Sequence, residues 1–215
     1  MAIWAGEVAI ASVGVSCQAT HQLENHGALI GGLVGSRPKN MRTPFDWIVC
    51  PAQSVARMIG DWRFHPADPA ELIEDEAPFW PDPPCWFWHD GVHLAAGDFL
   101  ARQDHISENF AKLRGFERQI FILSNTQGNL DEFAKTLRHP LDFTIKDDDI
   151  DAVDAALKAQ FRNPELWVVA RKDRHQLDRH KGDPRVFEFE YEPSDWKGDY
   201  GQWAAALTRM LAPAG

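Results

Sequence analysis

The sequence predicts an α/β domain with a largely parallel sheet and helices on both faces. Three observations carry this prediction. Short apolar runs of strand length at residues 8–15, 120–123 and 166–170 alternate with stretches of helical spacing, and a parallel neighbour requires such a crossover. The chain has 215 residues, 44% of them hydrophobic, which suffices for one packed core. No internal repeat and no linker interrupts it, so residues 1–215 read as a single domain with a Pro- and Trp-rich irregular segment at 61–95.

The elements follow in order. Residues 8–15 form the first strand and 17–25 the first helix, with Gly27 ending it as a C-cap. Residues 26–35 are glycine-rich and apolar, suited to a short irregular element or packed turn, and 37–40 read as a loop. Residues 44–50 are a compact apolar run broken by one acid, extended or a short strand. Pro51 opens a helix to about Gly60, since proline fits a first helical turn. Four of the nine tryptophans fall between Trp62 and Trp88, among prolines, where irregular structure is expected apart from a helical turn at 71–76. Phe99, Ile106, Phe110 and Leu113 share one face of a helix over 98–113. A strand at 119–124, a turn at 125–129 and a helix at 130–137 come next. The helix at 147–161 begins with acids that complement its dipole. A strand at 166–170 precedes a charged excursion at 171–183, where His175 and His180 are expected to be solvated. A strand at 186–191 and a helix at 200–211 complete the chain.

Composition excludes several classes. The net charge of -10 argues against nucleic acid, whose phosphates need a basic surface, and against anionic membranes. No apolar run reaches membrane-spanning length, and the first residues lack the basic start of a signal peptide. Three cysteines, Cys17, Cys50 and Cys85, cannot all pair, so a cytoplasmic protein with reduced thiols is expected. Nothing in the sequence fixes an oligomeric state. His89 and His93 lie four apart near Asp90, but the H-E-x-x-H pattern, C-x-x-C pairs and a G-x-x-x-x-G-K-[ST] loop are all missing. No metal and no cofactor is implied.

The chemistry centres on Ser12-Val13-Gly14-Val15-Ser16-Cys17-Gln18-Ala19-Thr20. Strand, tight glycine turn and helix follow one another there, placing Cys17 in a first helical turn. A helix N-terminus offers unpaired N–H groups and roughly half a positive charge, which lowers a thiol pKa and makes the sulfur a nucleophile. The alternative is a small buried hydrophobe. A cysteine nucleophile needs a base, and His89, between aromatics and Gly91, ranks first; His21, four residues after Cys17, ranks second. Asp46 is an acid inside an apolar run, so it must cap a turn, pair with a cation such as Arg42, or orient a catalytic imidazole. Asn125 sits at the C-terminal end of a predicted strand, the edge where sites collect in open parallel sheets. Backbone N–H groups at Cys17, with Gln18, would hold an oxyanion. Trp47, Trp86 and Trp88 are the candidate substrate-binding side chains.

Ser12-Val13-Gly14-Val15-Ser16-Cys17-Gln18-Ala19, Arg42-Thr43-Pro44-Phe45-Asp46-Trp47-Ile48 and His89-Asp90 resemble the DUF1796 family of papain-like cysteine peptidases. The resemblance extends more loosely through Arg102 and the strand at 120–123 to Trp196-Lys197-Gly198-Asp199-Tyr200-Gly201-Gln202-Trp203. It implies Cys17 as nucleophile and His89 as base, with Asp46, Asp90 and Asn125 competing for the third position. It also implies a papain-like α+β fold, whose sheet is mainly antiparallel, in place of the alternating one.

Two classes of function are open. The first is thiol-dependent hydrolysis of a peptide or isopeptide bond in a peptide or protein substrate; its close variant is acyl transfer, with an amine resolving the thioester. The second is a non-catalytic domain whose Trp-rich tract grips a glycan or peptide by stacking.

Overall fold

The computed structural model describes residues 1–74, 77–89, 96–136, 138–190 and 196–212. It is a mixed α/β structure around a mostly parallel sheet. The chain opens with a hairpin, β1 (Ala2–Ala5) and β2 (Val8–Val15), followed by α1 (Gln18–Asn25), α2 (Gly27–Val34), β3 (Lys39–Met41) and α3 (Ala52–Gly60). After a short 3₁₀ turn at Pro69–Glu71 come β4 (Phe79–Pro81), β5 (Pro84–Trp86), α4 (Ala96–Lys112), β6 (Arg118–Ser124) and α5 (Leu130–Thr136). The chain ends with β7 (Ile145–Lys146), α6 (Asp147–Gln160), β8 (Pro164–Arg171), β9 (His175–Gln176), β10 (Val186–Phe189) and α7 (Tyr200–Met210).

The six-stranded sheet runs β10-β8-β6-β2-β1-β3. Its first four members are parallel, in register through Val186 with Val168, Ile120 with Glu165, and Ile10 with Ile120. At the other edge β1 pairs antiparallel with both β2 and β3, so in this sheet β1 alone runs against the rest. This sheet follows from strands alternating with helices, and departs from the mainly antiparallel sheet that the resemblance implies.

The inner strands read as continuous apolar runs because both their faces are covered. Successive residues point to opposite faces, and the same strands therefore feed two apolar clusters. Ala9, Ala11, Phe121, Leu123, Leu166 and Val168 join Val55 of α3, Phe110 of α4 and Val153 of α6. Ile10, Ile120, Ile122, Trp167 and Val169 join Leu23 of α1, Ile30 of α2 and Trp203 of α7.

Several local expectations are corrected. Gly27 starts a helix rather than ending one, so residues 26–35 are largely α2. The junction is held by buried His26, whose Nδ1 meets Gln22 O at 2.8 Å and whose Nε2 meets Tyr200 O at 3.1 Å. The loop expected at 37–40 runs into an edge strand because β1 supplies the backbone partners that a loop would lack. Segment 61–95 contains the β4–β5 hairpin, buried through Phe79, Trp80, Cys85 and Trp86. The helical turn predicted at 71–76 lies earlier, at Pro69–Glu71, where Asp68 accepts from Ala70 N–H. His175 and His180 are drawn out of solvent: His180 Nε2 lies 3.0 Å from Asp151, and the largely buried His175 ring comes within 3.4 Å of Glu188 without a hydrogen bond at either nitrogen among the described residues. The acids opening α6 also fasten the charged excursion: Asp147 accepts from the N–H groups of Asp178, Arg179 and His180.

Phe110 is fully buried and meets Phe45, Trp62, Phe64, Phe121 and Phe161 at ring distances of 5.3–5.9 Å. Replacing it with Ala is expected to lower stability by about 3–5 kcal/mol, measured by urea unfolding.

Candidate functional site

The site begins where β2 stops being regular. Its ladder with β6 shifts between Ser12 and Val15, and Gly14 there has φ +99°. A Cβ at Gly14 would lie 2.9 Å from Val55 Cγ2, so both the backbone angle and the close approach require glycine. The chain then turns at Ser16 and enters α1, with Cys17 in the N-cap position at φ −72°, ψ −8°. The predicted strand, glycine and helix order is present, and Cys17 is only 7% exposed. Its Sγ donates to Gln127 Oε1 at 3.8 Å. Burial pushes the thiol up to about 11, and its own backbone N–H pulls it down by less. The expected lowering is therefore reversed: removal from water outweighs the helix end.

Cys17 lines a cavity of about 250 Å³ together with Val49, Trp88, His89, Gln127, Asn129 and Trp196. Five separate stretches of chain contribute. Val49 and Trp86 exchange both N–H···O bonds at 2.9 Å, which ties the strand β5 to residues 49–50 and carries Trp88 and His89 to the cavity. Cys50 N–H in turn donates to Val15 O at 3.0 Å, next to the Cys17 turn. The Trp47 ring meets His89 edgewise, with centroids 4.9 Å apart and planes at 73°, and the Arg42 guanidinium lies 5.7 Å from the Trp47 centroid.

The loop after β6 supplies the two carboxamides. Gln127 Nε2 donates to Asn129 Oδ1 at 2.8 Å. The loop is held from beneath by Asn125 and Arg174, both buried. Asn125 Nδ2 donates to Phe143 O at 2.9 Å and Arg174 O at 2.6 Å, and its Oδ1 accepts from Arg171 N–H at 3.1 Å. The Arg174 guanidinium donates to Asn125 O at 2.8 Å and Gln127 O at 2.9 Å, then reaches Asp131 at 2.6 Å. Burial would raise the Asp131 carboxyl, but the bonds from Arg174 and Arg171 outweigh it and hold the group below its usual range.

Residues 196–198 form the last wall. Gln18 Nε2 donates to Trp196 O at 3.1 Å and Gln22 Nε2 to Lys197 O at 2.5 Å. Trp196 packs on His21, ring centroids 4.6 Å apart. Gly198, at φ +81°, leaves no room for a Cβ, which would lie 2.6 Å from Gln18 Nε2.

Of the residues singled out in the sequence, Cys17, His89 and Trp88 meet in the cavity. Asn125 is one step removed: its carboxamide is occupied by backbone groups and supports the loop. Asp46 is fully buried, and its described partners are Thr43 N–H at 2.8 Å, Thr43 Oγ1 at 2.7 Å, Thr20 Oγ1 at 3.4 Å and the Met1 ammonium. It caps a turn and does not face an imidazole through these bonds. The Gln18 side chain is tied into the wall of the site: its amide nitrogen donates to Trp196 O and its oxygen accepts from Thr126. Trp86 is a fully buried packing residue. Trp47 is not among the cavity's lining residues. The described contacts of His21 are to Trp196 and to Asn25, 2.7 Å away. Asp90 and His93 lie outside the described residues.

Sequence reasoning missed Val49, Gln127, Asn129 and Trp196. The turn at 125–129 carried the right signal, the C-terminal end of a parallel strand, but the first amide in it was chosen over the two that line the cavity.

Among the described residues no group of three His, Cys, Asp or Glu gathers as a metal site, and no helix is long and apolar enough to cross a membrane. Fold and cavity together define a mostly parallel α/β protein with a cysteine and a histidine on one cavity at the C-terminal ends of β2 and β6. Comparisons with family models, curated proteins and solved structures return no match for this chain.

With the thiol at about 11, iodoacetamide labelling of Cys17 is expected to be slow near neutrality and to climb toward pH 11. At pH 7.5 it should run roughly a hundredfold slower than in the denatured chain, in proportion to the smaller thiolate fraction. The folded state holds this proton more tightly than the unfolded chain, so the same group removes stability as pH rises from the unfolded thiol value through about 11. Replacing Asn125 with Ala leaves buried carbonyls and an N–H unpartnered, and is expected to cost about 2 kcal/mol or more, read by chemical denaturation.

Proposed function

We propose that the cavity is the site of a thiol-dependent hydrolase acting on peptide or isopeptide bonds. The single observation that carries this reading is the meeting of Cys17 and His89, far apart in sequence, on one cavity. The resemblance of the Cys17 turn and the Pro44-Phe45-Asp46-Trp47 run to papain-like peptidases supports the same roles.

A thiol held up to about 11 rests as S–H, so the proton must leave as the sulfur attacks. His89 accepts it while Sγ bonds to the carbonyl carbon. The oxyanion falls toward the first N–H groups of α1, which point out of the helix end. His89 then returns the proton to the leaving nitrogen, the C–N bond breaks and a thioester remains. Water, deprotonated by the same imidazole, releases the acid and restores the thiol; an added amine in place of water gives acyl transfer.

The organisation belongs to the same reading: one layered domain with helices on both faces of the sheet, supported by the two apolar clusters. Three free thiols suit a reducing, cytoplasmic setting.

A second reading has its own observation. A buried thiol with a raised pKa beside two indoles also suits a non-catalytic pocket for a peptide or glycan. Turnover separates the two. With fluorogenic peptide amides, Cys17→Ala is expected to lose about three orders of magnitude or more in kcat, and His89→Ala about 10²–10⁴-fold, with circular dichroism unchanged. Full turnover by the Cys17→Ala protein would overturn the hydrolase reading.

A further inference from the structure

We infer that Trp47 is a positioning residue for His89, and that the Pro44-Phe45-Asp46-Trp47 run acts on the site through this indole rather than through the Asp46 carboxylate. The inference rests on the hydrolase reading for its kinetic consequence, though not for its geometry.

The backbone on either side of Trp47 is fixed. On one side, Asp46 locks the turn by accepting from Thr43 N–H at 2.8 Å and from the hydroxyls of Thr43 and Thr20, next to the Met1 ammonium. Phe45, fully buried, is wedged against Phe64 and Phe110 at 5.6 and 5.5 Å. On the other side, Ile48 is buried and Val49 is bonded twice to Trp86. Between these anchors the half-buried indole has little freedom to move.

What the indole touches gives it a task. His89 meets it at 4.9 Å in an edgewise arrangement, the orientation that aromatic quadrupoles favour. The Arg42 guanidinium lies 5.7 Å from the same ring, which adds a second restraint on the indole. His89 is itself exposed and lies on a loop, so a rigid neighbour limits the rotations open to its ring. Trp47 is not among the lining residues, so its influence on the reaction passes through the imidazole. A base held at the correct angle raises the rate of the chemical step, whereas a looser one lowers kcat with little change in ground-state binding.

The arrangement also explains why an acid sits in this apolar run. The bonds to Asp46 come from an N–H, two hydroxyls and an ammonium, and they set the turn from which Trp47 projects. The carboxylate therefore orients the base at one remove.

The test uses the full chain. Nuclear Overhauser contacts between the Trp47 indole and His89 imidazole protons, with the latter assigned by loss of signal in a folded His89→Gln protein, are expected in the unaltered protein; their absence overturns the inference. Trp47→Leu is expected to move the His89 proton resonances by removing the ring current of the indole. It should also lower kcat about tenfold while leaving KM within about twofold. Trp47→Phe, which keeps an aromatic edge or face, is expected to restore most of both. Unchanged His89 resonances in Trp47→Leu, or a Phe variant no better than the Leu variant, overturn the positioning role. A rise in KM with kcat intact makes Trp47 a binding residue and overturns it equally. If the His89 signals move as expected while Cys17→Ala turns over at the wild-type rate, the hydrolase reading fails and the Trp47–His89 positioning stands.

Discussion

Where β6 and β8 end, the parallel ladder has nothing further to pair with, and the Asn125 carboxamide takes over. One side chain bonds two carbonyls and one N–H from three other places in the chain. Arg174, buried beside it, then holds two carbonyls of the following loop. A buried guanidinium without partners would be severely penalised. Here Nη1 and Nη2 are met by the loop carbonyls and Asp131, with Nε alone lacking a hydrogen-bond partner among the described residues, so the shape of the loop depends on Arg174 being in place. Gln127 and Asn129 owe their positions to that arrangement, and through Gln127 so does the hydrogen bond of Cys17.

Two influences compete on the Cys17 sulfur. The end of α1 offers N–H groups and a favourable dipole, while Trp196, Trp88 and Val49 exclude water. The dipole of an eight-residue helix acts within its first turn. Desolvation acts on the whole thiolate, and it prevails. A thiol at a helix N-terminus is thus not automatically an acidic one; exposure decides the sign.

The fold was legible in the sequence wherever strands carried an uninterrupted apolar run. Residues 8–15, 119–124 and 166–170 announce inner strands because both faces of those strands are buried, and composition alone reveals it. The edge strand at Lys39–Met41 carries no such signature, since its partner β1 supplies hydrogen bonds without demanding apolar side chains. The helix at Gly27–Val34 was obscured by its glycines, which disfavour helix locally; packing against β1 and α7 overrides that preference. In the site, Cys17 and His89 could be read as a nucleophile and a base from residue type and neighbours. The Gln127 and Asn129 carboxamides could not be ranked above Asn125, because which amide turns inward depends on Arg174, nearly fifty residues later in the chain. Asp46 was recognisable as an acid needing compensation, but not which partners would provide it.

Residues 196–198 complete the enclosure last in chain order. Until they dock on Gln18 and Gln22, the cavity lacks its Trp196 wall and the sulfur faces solvent. During synthesis, therefore, Cys17 passes through a period as an accessible thiol. It becomes secluded only when a long-range contact spanning most of the polypeptide closes, a step that chains rich in distant contacts reach late. Maturation of the site is thus tied to completion of the fold, and a partly folded chain presents a more reactive sulfur than the finished protein does.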